Sequence, residues 1–255
     1  MRAIHFTRPT ADVALLEIDN PPMNALGREA RAALLARLDE IDADKDLRAI
    51  VLTGRGARAF CSGDDLKEQA EAQRAKSSAH LGEFGRVLAR IEGHRLPVIA
   101  AVNGWCLGGG LELASVCDIR VASTEAKFVC SGVNVGLMAS AYRLPRLIGV
   151  ARAKHMLLTG SPIDAATADK FGLVTAVHAP EALMAEAIAL ATRISSRAPL
   201  SVEATKRTAA LAPDLSPEEA AVVIAKELAF LGRSADHKAA LAAFAEKREP
   251  VFKRE

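Results

Sequence analysis

The chain has 255 residues, half of them apolar, enough to bury a substantial core as one large domain or as a domain with an appendage, which argues against disorder. Its 33 basic and 31 acidic residues nearly cancel. That balance argues against the concentrated positive field on which nucleic-acid or anionic-membrane binding depends, and favours a small molecule or a protein as partner.

Met1 to His5 runs into a polar stretch with no charged-then-apolar leader, and no window approaches the roughly 18 continuous apolar residues of a membrane span. The expectation is a soluble, cytoplasmic protein. Residues 13–18 and 48–53 read as strands, and Leu34, Leu38 and Ile41 lay an apolar stripe along a helix over 28–42, a β-α-β opening. Gly54-Arg55-Gly56-Ala57-Arg58-Ala59 then meets the relaxed G-x-G-x-x-G/A dinucleotide fingerprint. A dinucleotide site needs a helix opening there, yet Phe60-Cys61-Ser62-Gly63 interrupts one, and about 20 residues on stands Arg74 where an acidic ribose ligand belongs. These glycines read as an ordinary turn. Residues 66–78, polar and rich in Ala, Gln, Glu and Lys, read as a mobile surface segment.

Residues 97–102 form a nearly all-apolar run, as expected of a strand covered on both faces, and 119–122 follows after a helix-length gap. Strands alternating with helices indicate the α/β class. Beyond residue 178 the chain is Ala-rich and helix-favouring over 181–196, 201–211, 217–231 and 235–247, with breaks at Pro180, Pro199 and Pro213. There is no internal repeat. Cys61, Cys106, Cys117 and Cys130 form neither a CxxC pair nor a cluster with histidine and read as small, reduced core residues, Cys130 alone lying near the segments singled out next. No metal site is indicated, and none of the six histidines falls in a site motif.

Two glycine-bearing turns each follow a strand: Phe60-Cys61-Ser62-Gly63-Asp64-Asp65-Leu66, and Gly104 to Gly110. Three consecutive glycines opening Leu111-Glu112-Leu113-Ala114 carry a large entropic cost unless the backbone approaches something closely. Glycine at a helix start leaves amides uncovered with the positive helix end behind them, which suits an oxyanion. Glu112, three residues past Gly109, lies one turn into that helix on about the same face.

On these residues the sequence resembles the enoyl-CoA hydratase/isomerase (crotonase) superfamily, through Asn20-Pro21-Pro22-Met23-Asn24-Ala25-Leu26, Phe60 to Lys67, Pro97 to Gly104, Gly108 to Ala114 and Ala243 to Arg248. The resemblance implies an α/β, crotonase-like spiral of β-β-α units over residues 1–195 and a helical region over 196–255 that mediates a homotrimer or dimer of trimers. It implies an acyl-CoA thioester as partner, coenzyme A being part of the substrate and no separate cofactor being needed. Asp64 and Gly109 match the two oxyanion-hole amides and Glu112 a catalytic carboxylate. Ser62 and the Pro22-Met23 backbone match positions that contact the coenzyme A moiety, with Lys67, Phe244 and Lys247 as further candidates for its nucleotide end, the last two across a subunit boundary.

The pattern also breaks. Hydratases of this family resemble one another in using two glutamates, and where the second belongs this chain has Gly132. Ser140 matches a glycine whose amide positions the water; its hydroxyl either replaces a lost polar contact or, the favoured reading, caps the following helix. Tyr142 and Arg143 stand at small-residue positions and either fill the pocket or point away from it. The side chain of Asp64 either reaches the acyl pocket or leaves the chemistry to its amide. The leading expectation is an enzyme that adds or removes water at, or isomerises, the double bond of an enoyl-CoA. The alternative is a weakly catalytic or non-catalytic acyl-CoA binder.

Overall fold

The computed structural model describes residues 3–74 and 79–255. A hairpin of β1 (Ala3–Thr10) and β2 (Val13–Asp19) opens the fold, α1 (Arg28–Ala43) crosses over, and β3 (Ala49–Gly54) returns parallel to β2. One pattern then recurs. β3 leads into the short β4 (Ala59–Cys61) and helices α2 (Leu66–Arg74) and α3 (Ala79–Glu92). β5 (Val98–Val102) leads into β6 (Trp105–Leu107) and α4 (Gly109–Val116). β7 (Ile119–Ser123) leads into β8 (Lys127–Val129), a 3-10 turn over Ser131–Val135, and α5 (Arg143–Ile148). The first strand of each set joins a sheet ordered β1-β2-β3-β5-β7-β10, and the second joins a sheet ordered β4-β6-β8-β9. The result is a spiral of β-β-α turns.

The remaining elements complete these layers: α6 (Val150–Thr159), β9 (Ile163–Asp164), α7 (Ala165–Phe171), β10 (Ala176–His178) and α8 (Leu183–Ser195). Helices α9 (Pro199–Leu211), α10 (Pro217–Leu231) and α11 (Ala235–Ala245) follow. Pro199 and Pro217 stand in the first turns of α9 and α10, where a missing N–H costs nothing. Ser216 and Glu219 close a reciprocal capping box at the start of α10.

Strand alternation explains the burial of the central sheet on both faces. Ile50, Leu52, Val98, Ala100 and Val102 face the main core with Leu34, Leu38 and Ile41 of α1 and Val87 and Ile91 of α3. Ala49, Val51, Ile99, Ala101 and Val121 face Leu183, Ala187 and Ala191 of α8. The glycines of 54–59 sit in a turn that runs directly into β4 with no helix opening there, and Asn103 Nδ2 pins it by donating to the carbonyls of Gly54 (2.8 Å) and Gly56 (2.6 Å).

Of the segment 66–78, Leu66–Arg74 forms helix α2, and its first turn is tied to α1, because Glu68 accepts the Arg28 N–H at 2.8 Å, at the helix start where Gly27 offers no side-chain cap. Residues 75–78 of that segment lie outside the described residues. Among the described residues no helix is long and apolar enough to cross a membrane.

Candidate active site

The first turn, between β4 and α2, is fixed by the segment before α1. Ser62 N–H donates to the Met23 carbonyl (3.0 Å), Leu26 N–H donates to the Gly63 carbonyl (2.7 Å), and Leu26 and Asp64 form a parallel bridge. Gly63 has φ +84°, a left-handed conformation that favours glycine. Asn24 supports the strand beneath, its Nδ2 donating to the Ala59 carbonyl at 2.7 Å. In the second turn Gly108 has φ +48° and donates its N–H to the Val129 carbonyl of β8 (2.9 Å). Helix α4 starts at Gly109, whose amide is therefore among those with no intrahelical acceptor and has the positive helix end behind it.

Parallel pairing of β4 with β6 carries the two turns into contact. A β-carbon on Gly63 would lie 2.6 Å from both Cα and N of Gly109, one on Gly110 would lie 1.9 Å from the Cys61 carbonyl oxygen, and one on Gly109 would lie 2.9 Å from Phe84 Cζ. The glycines expected to mark a close approach do so, and part of what they approach is the other turn and the Phe84 ring of α3. Asp64 and Gly109 thus come to one place in the fold.

The Asp64 side chain is engaged by Arg31 of α1, a buried residue that sequence reading passed over. The Arg31 Nη1 group donates to the Asp64 carboxylate and to the Leu26 carbonyl (2.9 Å). Its Nη2 donates to Glu83 (3.1 Å) and lies 3.6 Å from Glu68. One guanidinium therefore joins α1 to the first turn, to α2 and to α3. The signal was present: Arg31 is three residues before Leu34 and seven before Leu38, on the apolar stripe of α1, where an unpaired charge is costly.

Glu112 is half-buried, and its Oε1 accepts the backbone N–H of Ser140 at 2.8 Å. Ser140 is a non-glycine residue at φ +60°. The capping role favoured for its hydroxyl is not what forms: the residue preceding α5 is Tyr142, and the Ser140 Oγ is buried without a partner among the described residues. It is the backbone of Ser140, in the conformation a glycine takes easily, that contacts the carboxylate. Gly132 is buried beneath the same segment; a β-carbon there would lie 3.0 Å from the Leu137 carbonyl oxygen and 3.0 Å from the Ala139 nitrogen. The chain over 137–139 thus crowds the space a second side-chain carboxylate would enter.

Burial, joined by the charge of Glu112, pushes the Cys130 thiol up to about 12, and burial pushes Cys61 to about 12 as well. Both stay protonated near neutrality, which removes them as nucleophiles. Arg143 makes a two-pronged pair with Glu92 (3.0 and 2.7 Å), and Tyr142, 64% exposed, lies under the Arg146 guanidinium at 5.0 Å. Both residues thus have partners outside the Glu112–Ser140 contact. Pro22 and Lys67 are exposed, with Met23 and Ser62 half-buried at the first turn. Phe244, 86% exposed, and Lys247 lie at the end of α11, on the helical appendage and not on the two turns. Asp118 accepts the Val98 N–H (2.7 Å) and pairs with Lys206 (2.8 Å), holding α9 against the sheet.

The family model described as enoyl-CoA hydratase/isomerase matches residues 8–255. The chain is 38% identical to "(E)-benzylidenesuccinyl-CoA hydratase" of Thauera aromatica, over 94% of this chain and 95% of that one. It is 35% identical to "Short-chain-enoyl-CoA hydratase" of Clostridium acetobutylicum, over 93% and 92%. The crystal structure of an enoyl-CoA hydratase from Bacillus anthracis superposes with a TM-score of 0.95 at 32% identity, covering 99% of each chain.

Proposed function

We propose that this chain, which belongs to the enoyl-CoA hydratase/isomerase (crotonase) family, binds an enoyl-CoA thioester with its carbonyl oxygen between the Asp64 and Gly109 amides and uses Glu112 as its general acid/base. The observation that carries this reading is the contact of the two turns at Gly63 and Gly109. Adding hydroxide at the β-carbon, or removing a proton from the γ-carbon, moves an electron pair through the conjugated system onto the thioester oxygen. Two preorganised amides lower that barrier, one such donor being worth roughly 10²- to 10³-fold. With Oε1 of Glu112 held by Ser140, Oε2 is the oxygen offered to substrate. It takes a proton from water or from the γ-carbon and returns it to the α-carbon, so one carboxylate serves both halves of either reaction.

The coenzyme A portion is assigned to Pro22, Met23, Ser62 and Lys67 around the first turn, with Phe244 and Lys247 supplied by a neighbouring subunit. Assembly into a trimer is supported by the large apolar side chains that α10 and α11 leave in water, among them Val222, Leu228, Phe230, Leu241 and Phe244. The chemistry calls on no cofactor beyond the coenzyme A of the substrate. A cytoplasmic setting fits four buried, unpaired cysteines.

A second reading, a binder with weak or no turnover, is favoured by Gly132 and by the crowding of 137–139 over it. Enoyl-CoA turnover and acyl-CoA binding, measured side by side in the native chain and in Glu112→Gln, separate the two. The enzyme reading expects Glu112→Gln to lose about 10²- to 10⁴-fold in kcat with binding kept. Tight binding without turnover, indifferent to the substitution, would sink it in favour of the binder.

A further inference from the structure

Arg31 is buried, charged and outside any motif of the site. Its side chain is 2% exposed, and it reaches the Asp64 carboxylate, the Leu26 carbonyl, Glu83 and Glu68. Leu26 is the residue whose N–H holds the Gly63 carbonyl, and Glu68 also caps α1 through the Arg28 N–H. Every one of these contacts leads to the first turn or to a helix beside it. Phe84, next to Glu83 on α3, packs against Gly109, so the second turn feels the same helix.

We propose that Arg31 is a positioning residue for the oxyanion site, acting through Asp64. The inference rests on the thioester reading above and assigns two effects to one guanidinium. The first is orientation. A peptide whose amide must point at a developing oxyanion is followed from the side by its own carboxylate, and anchoring that carboxylate restricts rotation of the Asp64 backbone. The second is charge. Asp64, Glu68 and Glu83 place three carboxylates around this guanidinium, and negative charge beside an enolate opposes the very charge the amides stabilise. Arg31 offsets the charge of Asp64 beside the oxyanion site, and its buried, low-dielectric setting strengthens the effect.

A conjugated enoyl-CoA reports the polarisation directly, since its ultraviolet absorption moves to longer wavelength when the carbonyl oxygen gains hydrogen bonds. The shift is read at saturating ligand in the native chain, Arg31→Met, Arg31→Lys and the double variant Arg31→Met/Asp64→Asn, beside kcat and KM. Arg31→Met is expected to lose most of the shift and about tenfold or more in kcat, with KM within about threefold. Arg31→Lys, which keeps a charge but not the fork, should fall between. Removing the Asp64 charge as well in the double variant should recover part of both, which a packing role would not give. Should Arg31→Met not fold, Arg31→Lys and Arg31→Lys/Asp64→Asn carry the same comparison. A folded Arg31 variant that keeps the full shift and kcat overturns this inference alone. A native chain that binds the probe with no shift overturns the thioester reading and this inference with it.

Discussion

The two sides of the candidate site are built on different terms. On the side of Asp64, the turn is held by backbone bonds to Met23 and Leu26, by the Gly63–Gly109 contact and by a buried Arg31 that reaches Asp64, the Leu26 carbonyl and carboxylates on α2 and α3. On the side of Gly132, where the resemblance leads one to expect a second carboxylate, the chain has a glycine, the 137–139 segment leans over it, and Ser140 holds Glu112 while its own hydroxyl is buried without a partner among the described residues. The difference teaches that gripping a thioester and turning it over are separable demands. The grip is specified by backbone shape, which tolerates little change; the proton chemistry rests on one or two side chains, which can be lost while the scaffold stands.

If the first side is that tightly determined, Gly63→Ala should do the most damage. It forces a side chain at φ +84° and a β-carbon 2.6 Å from the Gly109 backbone, so we expect a loss of 3 kcal/mol or more in stability, roughly, and at least about 10²-fold in turnover. Urea unfolding and steady-state kinetics on the purified variant check both. An Ala variant of native stability and activity would break the comparison at its stronger end.

Acid probes the frame behind that side. His94 follows α3 and is buried against Asp42 of α1, its Nε2 lying 3.1 Å from Asp42 Oδ1 while Nδ1 accepts the Leu96 N–H at 3.0 Å. Burial lowers the His94 pKa from 6.5 to about 4, with Arg90 and Lys206 adding to the effect and Asp42 opposing it. The fold therefore holds the neutral ring. Its contribution is fully present above pH 6.5, falls as the unfolded chain binds the proton first, and is lost by about pH 4. Denaturation midpoints between pH 7 and pH 4.5 should drop steeply in the native chain and less in His94→Gln; equal slopes would detach this pair from the acid response.

The weaker side yields smaller effects. Gly132→Glu restores the family's carboxylate on paper, but its β-carbon meets Leu137 O and Ala139 N at 3.0 Å, so the 137–139 segment must move. We expect a cost of about 1–3 kcal/mol and little added hydratase activity unless that segment is changed with it, measured by thermal melting and enoyl-CoA hydration. Ser140→Gly should change least. It keeps the amide that holds Glu112 and relieves a non-glycine φ of +60°, for a gain of about 1 kcal/mol and a kcat within several-fold of native. A large loss of kcat would move the Ser140 hydroxyl into the chemistry.

How much of this was legible in sequence follows from period and locality. The all-apolar 98–102 run and the Leu34-Leu38-Ile41 stripe announced their strand and helix because burial imposes a period that survives in the letters. The short strands β4, β6 and β8, three residues each, are set by pairing with one another and carry too few letters to show a period. The glycine turns were readable because close approach leaves only one residue type possible. What they approach, the other turn and Phe84, was not, since it depends on contacts between distant residues. Arg31 was readable in principle as a charge on an apolar stripe, but its partners Asp64, Glu68 and Glu83 lie 33 to 52 residues on. The role of Ser140 belongs to its backbone dihedral, which a serine does not advertise.

Everything proposed here for the site depends on the Asp64 and Gly109 amides together holding a thioester carbonyl. Carbon-13 NMR of an enoyl-CoA labelled at that carbonyl tests it most directly, by comparing free and bound ligand in the native chain. A clear downfield shift on binding is expected, the mark of an oxygen receiving two hydrogen bonds. A bound ligand whose carbonyl resonates where it does in water would contradict it.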